Sequence, residues 1–124
     1  MLSLALKAYL QLIVVDIMLT FRDFPALYQR VRRLPTKPDV SADHSAEKIC
    51  RSVDLACVWY WKQVPCLQRS AVTTMLLRKH GIAASLVIGA QPLPFRAHAW
   101  VEACGEVLND KPYISEMYPV LDRC

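Results

Sequence analysis

The stretch HAWVEACGEVLND, residues 98–110, decides the expected fold of the second half of the chain. Apolar and polar residues alternate as in a strand, a glycine turn follows, and a second short strand ends in a carboxylate. Alternate side chains of a strand share a face, so His98 and Trp100 lie together. A three-residue loop at 103–105, with its glycine in the left-handed conformation, pairs His98 with Asp110. The pattern predicts a hairpin that places an imidazole beside a carboxylate.

The same loop fixes the other cross-strand pairs of this hairpin. It sets Glu102 opposite Glu106 and Trp100 opposite Leu108. A histidine–carboxylate pair in a surface hairpin is as compatible with a structural hydrogen bond as with catalysis. The functional interpretation therefore depends on a nucleophile elsewhere in the chain.

A candidate nucleophile, Cys66, lies in the stretch VPCLQRS, residues 64–70. It follows a proline and begins a predicted helix, where unpaired backbone N–H groups and the helix dipole stabilise a thiolate or an oxyanion. A structural cysteine can occupy the same position. Its combination with His98 and Asp110 favours a nucleophile, base and orienting group, provided that the helix packs on the His98 face of the hairpin.

Helices are expected first and antiparallel strands second, which predicts an α+β fold. The first helix is expected over 1–20, the second begins near Pro25, and the third begins after Asp43 or Ser45. The fourth helix is expected from Cys66 to about His80, with Gly81 as its cap. Strands are expected over 83–90, 96–103 and 106–110, with a loop over 91–95 and an extended tail over 111–120. We expect one domain over 1–124, with a helical N-terminal extension over 1–40, a linker at 34–43 and a core over 41–124.

The first helix carries more apolar surface than a small domain needs. Ser3, Lys7 and Gln11 form a narrow polar stripe, and the charges of Lys7 and Asp16 argue against a membrane span. The other sides of the helix must contact the core, a second copy in a homodimer, a partner protein or a membrane surface.

Charge and cysteine content exclude several classes of protein. The chain has 15 basic and 11 acidic residues, and its basic cluster lacks the aromatic residues and motifs of nucleic-acid binding. A solvated helix face explains the cluster, or else a contact with a polyanion or an acidic peptide. Five cysteines, without clustered Cys/His spacing, indicate reduced thiols in the cytoplasm and no metal or cofactor site. The basic cluster comprises Arg22, Arg30, Arg32, Arg33 and Lys37.

Three blocks of the chain resemble the transglutaminase-like cysteine peptidases of lasso peptide biosynthesis, the B proteins that remove the leader from a ribosomally made precursor: CLQRS at 66–70, LRKHGIAASLVIGA at 77–90 and FRAHAWVEACGEVLND at 95–110. The resemblance covers residues 45–112 and matches Cys66, His98 and Asp110 to the Cys-His-Asp triad of that family. The helical first third is similar to the stand-alone form, whose leader-recognition domain is a separate protein.

The resemblance implies a papain/transglutaminase-like core and a cytoplasmic cysteine endopeptidase without a cofactor. The implied partners are a precursor of leader and core, a separate leader-recognition protein and an ATP-dependent lasso cyclase. Acyl transfer to an amine would use the same triad, and a non-catalytic scaffold that binds leader or partner is a third alternative.

Cys104, at the turn, is predicted to be exposed and not a second nucleophile. The Cys66 N–H is the expected oxyanion donor, and the candidates for a second donor are Gln63, Tyr60, Trp59 and Trp61.

Overall fold

The computed structural model describes residues 2–22, 24–34, 46–92, 95–103 and 106–124. Within these ranges the fold is α+β, as the sequence predicts. The elements in chain order are α1 (Leu2–Phe21), α2 (Phe24–Arg33), α3 (Ala46–Trp59), α4 (Cys66–Lys79), β1 (Ala84–Pro92), β2 (Phe95–Ala103), β3 (Glu106–Val107), α5 (Ile114–Met117) and β4 (Val120–Arg123). Most of the predicted 34–43 linker, and the 104–105 turn with Cys104, lie outside the described residues.

The helices α1 to α4 lie on one side of the sheet, and α4 packs against α1, α3 and the sheet. Apolar residues at helical spacing bury the inner faces of α2 and α3, as predicted. α4 is buried nearly all round because it has neighbours on several sides. It ends at Lys79, with His80 at the C-cap position, and Gly81 follows with a φ of 81°, which suits a residue without a side chain. The buried apolar side chains at the centre of α4 are Ala71, Val72, Met75, Leu76 and Leu77.

The sheet is antiparallel, with strand order β3-β2-β1-β4. β1 and β2 pair without interruption from Ala84 with Ala103 to Pro92 with Phe95. The prediction of a loop over 91–95 is therefore wrong, because cross-strand pairing extends the hairpin to residues on both sides of 93–94. Local proline content suggested a loop, but the pairing of two long strands outweighs it.

The prediction of an extended tail over 111–120 is also wrong. Residues 114–117 form the short helix α5, and β4 then pairs with the outer edge of β1. Two backbone hydrogen bonds join Leu86 and Cys124, at 3.0 and 3.1 Å. β1 would otherwise be an exposed edge strand, so its unpaired backbone groups provide the reason for this segment to fold back.

The two faces of the sheet are covered by different parts of the chain. Ala99 and Val101 of β2 face the helices and belong to the main core. Trp100 faces the other way and packs with Val87 and Ile114 in a second, smaller core. The C-terminal segment therefore covers the face that α4 leaves open.

α1 has one face in the core and an apolar face in solvent. The inner face is tied down because the backbone carbonyl of Leu12 accepts a 2.9 Å hydrogen bond from Gln68, and Asp16 accepts one of 2.7 Å from Lys62. By length and composition alone, residues 4–21 would be long and apolar enough to cross a membrane. The outer stripe, which we call the α1 stripe, consists of Leu6, Leu10, Val14, Ile17 and Phe21.

Candidate active site

Cys66 is the first residue of α4, as the sequence predicts. Pro65 precedes the helix in an extended conformation, with φ −66° and ψ 159°, and no side chain caps the helix. The first N–H groups of a helix have no partner within it, and here no capping side chain takes their place. The half-buried Cys66 thiol thus lies at a helix end that favours negative charge.

His98 and Asp110 are in contact, with Nε2 and Oδ2 2.5 Å apart. The register proposed for this contact is wrong by one residue. Ala103 pairs with Glu106 and Glu102 with Val107, so the two strands pair immediately on both sides of 104–105 and not around a three-residue loop. The strand β3 ends at Val107, and Asp110 reaches His98 from the bend that follows it.

Asn109 determines where that bend lies, and sequence reasoning missed its role. The side-chain oxygen of Asn109 accepts a hydrogen bond from the backbone N–H of Val101 at 2.9 Å, and its amide donates to Ser70 at 3.0 Å. Ser70 Oγ donates to the carbonyl of Ala99 at 3.0 Å, and Arg69 donates to the carbonyl of Asn109 at 2.8 Å. This network fixes the residue before Asp110 to both α4 and β2.

A signal for this network was present in the CLQRS block. Its polar residues are placed at the start of a helix that must pack on a sheet, and Gln68 and Ser70 are both fully buried. Buried polar groups need hydrogen-bond partners. Gln68 donates a hydrogen bond to α1 and Ser70 donates one to β2, so this block fixes the Cys66 end of α4 to both elements.

The environment of Asp110 keeps its carboxyl group ionised. Burial alone would raise its pKa, but hydrogen bonds from His98 and from the Lys111 backbone N–H outweigh burial, and the pKa lies below its ordinary value. These bonds therefore stabilise the fold above the ordinary carboxyl pKa, and that contribution is lost as the pH falls through the lowered pKa. Because an ionised carboxylate only accepts, Nε2 of a neutral His98 ring carries the proton, and Nδ1 is the basic nitrogen.

Cys66 and His98 line one apolar cavity of about 290 Å³ at the N-terminal end of α4. The condition that α4 packs on the His98 face is not met. α4 covers the Ala99 face, whereas the His98 ring stacks with Trp100 on the other. The thiol and the histidine share a cavity because α4 begins at Cys66 beside this part of β2. The remaining lining residues are Leu67, Ile88, Ala97 and Ala99.

The candidates for a second oxyanion donor have different environments. The buried Tyr60 donates its hydroxyl to Asp16, at 2.9 Å, so that group is engaged with α1. Gln63, Trp59 and Trp61 are exposed on the segment that leads to Cys66.

Across the described ranges, the His, Cys, Asp and Glu side chains form no group of three that could hold a metal ion.

The basic cluster lies away from this cavity. Arg22, Arg30 and Arg33 line an open groove of about 510 Å³ along α1 and α2. Arg32 lies 3.8 Å from Asp122 in an exposed ion pair. Lys37 is outside the described residues.

Comparison with known proteins fits this geometry. A family model described as the transglutaminase-like superfamily matches residues 11–122, nearly the whole chain. This chain belongs to the transglutaminase-like superfamily. It is also 39% identical over 56 residues to the microcin J25-processing protein McjB of Escherichia coli. That match covers 45% of this chain and 27% of McjB, so the chain spans about a quarter of the length of that relative. No solved structure matches this chain.

The cysteines of this superfamily member are expected to differ strongly in reactivity. Burial raises the pKa of Cys50 and of Cys57 to about 11, so near pH 7 only roughly one in 10⁴ of these thiols is ionised. Burial also raises the pKa of Cys124. Iodoacetamide at pH 7 should alkylate Cys66 at least about tenfold faster than these three thiols.

Peptide mass spectrometry of a short time course measures each of these rates separately. The four described cysteines are free thiols, so no reduction step is needed for them. Equal rates at Cys66 and Cys57 would contradict the interpretation of Cys66 as a nucleophile.

Proposed function

We propose that this protein is a cytoplasmic cysteine endopeptidase that removes the leader from a lasso peptide precursor, with Cys66 as nucleophile, His98 as base and Asp110 as orienting group. The observation that carries the proposal is the cavity that Cys66 and His98 both line, with His98 held by Asp110 through Nε2. Membership of the transglutaminase-like superfamily and the similarity to a microcin-processing protein support it.

In the proposed first step, Nδ1 of His98 takes the proton of the Cys66 thiol. The thiolate attacks the scissile carbonyl carbon, and the carbonyl π electrons move to its oxygen. The uncapped first turn of α4 offers N–H groups to this oxyanion, beginning with that of Cys66. Because Asp110 remains ionised, it stabilises the imidazolium that forms.

The second half of the reaction releases the two products. The imidazolium returns its proton to the leaving nitrogen as the C–N bond breaks, which leaves a thioester on Cys66. His98 then takes a proton from water, the hydroxide attacks the thioester carbonyl, and the Cys66 sulfur leaves and is reprotonated. An amine in place of this water would give acyl transfer.

The proposal is tested by mass spectrometry of a precursor incubated with this protein and a leader-recognition protein. Hydrolysis gives a leader with a free C-terminal carboxyl group and a core with a free N-terminus. A leader that carries an added amine instead would contradict hydrolysis and favour acyl transfer. An intact precursor would contradict both activities.

We also propose that the leader-recognition protein docks on the α1 stripe, and that a lasso cyclase takes the released core. The stripe residues recur every three or four positions, the spacing by which one helix packs on another. Beside the stripe, α3 exposes Trp59 at 74%, and the following loop exposes Trp61 at 72%. Both tryptophans lie on the segment that leads to Cys66, and Trp61 precedes it by five residues.

Polar substitution of the α1 stripe should weaken partner-dependent processing without affecting the thiol. We expect the double variant Leu6→Gln, Leu10→Gln to lose roughly tenfold in processing rate at limiting partner concentration, because apolar contact area is lost. Its Cys66 alkylation rate should not change. Leu121→Gln, at an equally exposed leucine on β4, is the matched control.

If both rates fall in the double variant, the substituted residues contribute to packing of the core and not to a contact with the partner. If neither changes, the partner docks elsewhere. Each of these results would contradict docking on the stripe.

Asp110→Asn should reduce cleavage less than loss of His98 does. Asparagine can still accept a hydrogen bond from Nε2, but it cannot stabilise the imidazolium by charge. We expect kcat to fall roughly 10- to 100-fold, less than complete loss of a general base would cost. Asp122→Asn, at an exposed aspartate on β4, is the control for a lost carboxylate. An unchanged kcat for Asp110→Asn would require another orienting group.

A further inference from the structure

The His98 ring contacts two aromatic rings on the sheet face opposite α4. The Tyr118 ring lies 5.2 Å from it, centroid to centroid, at an interplanar angle of 26°. The Trp100 ring lies at 6.2 Å and 29°. These values are typical of offset stacking. Such contacts oppose rotation of the imidazole, and rotation would break the bond between Nε2 and Asp110.

Trp100 is fixed by its own contacts. Its indole N–H donates to Glu102 Oε2 at 2.9 Å, and Arg123 donates to the other oxygen of that carboxylate at 3.2 Å. The ring is fully buried against Gly89, where an added Cβ would lie 2.6 Å from its Cη2 atom. A side chain at position 89 would therefore displace the ring that stacks on His98.

Tyr118 is held in place by backbone hydrogen bonds on both sides of it. Its N–H donates to the carbonyl of Ile114 at 3.0 Å, and the carbonyl of Pro119 accepts from Ala90 at 3.0 Å. Val120 then pairs with Gly89, and Gly89 pairs on its other side with His98. Val120 of the C-terminal segment, Gly89 and His98 are thus cross-strand neighbours in one row of the sheet.

We infer that the C-terminal segment, residues 114–123, orients the His98 imidazole through the Tyr118 ring, which makes Tyr118 a positioning residue for the reaction. This inference rests on the proposed function, because His98 matters for catalysis only if that function holds. The ring face makes the contact, so an unsubstituted phenyl ring should serve as well as tyrosine. Loss of the ring should slow the chemical step and leave precursor binding unchanged.

The test compares Tyr118→Leu with Tyr118→Phe. Tyr113→Leu, at the tyrosine just before this segment, is the matched control, because its ring is exposed and lies near Lys111. We expect Tyr118→Leu to lower kcat roughly tenfold through misorientation of the base, with KM within about twofold of wild type. Tyr118→Phe and Tyr113→Leu should retain wild-type kcat and KM. Thermal melts check that each variant is folded.

A second measurement does not depend on cleavage. The carbon-bound ring protons of His98, assigned by their absence in His98→Ala, should move downfield in Tyr118→Leu as they leave the shielding of the Tyr118 ring. They should stay in place in Tyr118→Phe. A Tyr118→Leu variant with wild-type kcat, or one that changes KM alone, would overturn the inference. So would a Tyr118→Phe variant as slow as Tyr118→Leu.

Failure of the proposed function gives a different result. In that case wild-type protein cleaves no precursor. The His98 ring signals and the alkylation rate of Cys66 would then still report on positioning. Shifted ring signals together with a several-fold slower alkylation in Tyr118→Leu would support the positioning role, and unchanged values would overturn it.

Discussion

Replacing Cys66 with alanine is expected to abolish precursor cleavage, with a loss of at least about 10⁴-fold in kcat. The variant removes one sulfur atom from a half-buried position at the start of α4, and it leaves Pro65 and the buried residues of that helix unchanged. The fold should therefore persist, with a melting temperature within a few degrees of wild type. Mass spectrometry of the precursor and a thermal melt measure the two effects.

Cys57→Ala is the matched control for this variant. Cys57 is a half-buried thiol of α3 that does not line the cavity. Its replacement should leave kcat unchanged. Full cleavage by Cys66→Ala would end the hypothesis of a covalent thioester intermediate.

Replacing His98 with alanine is expected to reduce kcat about as much as Cys66→Ala does, because a nucleophile and its base act as a unit. The double variant Cys66→Ala, His98→Ala should consequently be no slower than either single variant. The single-turnover rate constant of cleavage, measured for the three proteins, checks this. Additive losses would mean that His98 acts independently of Cys66.

The His98 ring also contacts Trp100 and Tyr118, so part of the loss could reflect packing. His98→Asn retains a polar, planar side chain and serves as a second variant. His80→Ala, at the opposite end of α4, is the control for loss of an imidazole. If His98→Asn cleaved as fast as wild type, His98 would not be the base.

Much of the fold was predictable because its signals are local. Strong helix formers indicated α1, apolar residues at helical spacing indicated α2 and α3, and α4 followed from Pro65 before it and Gly81 after it. Alternation in HAWVEA indicated β2. The pairing of His98 with Asp110 was predicted from the wrong register, because a turn sequence alone did not reveal that β3 ends at Val107.

The sequence by itself determined the residue types of the candidate site and the local elements that carry Cys66 and His98. The tertiary structure alone decided the face on which α4 packs, the bend that brings Asp110 to His98, and the return of the C-terminal segment to the sheet. Those features depend on contacts between residues far apart in the chain, such as Asn109 with Ser70 and Tyr118 with His98. Such contacts leave no periodic pattern in the sequence, because each forms only when two elements are already packed together.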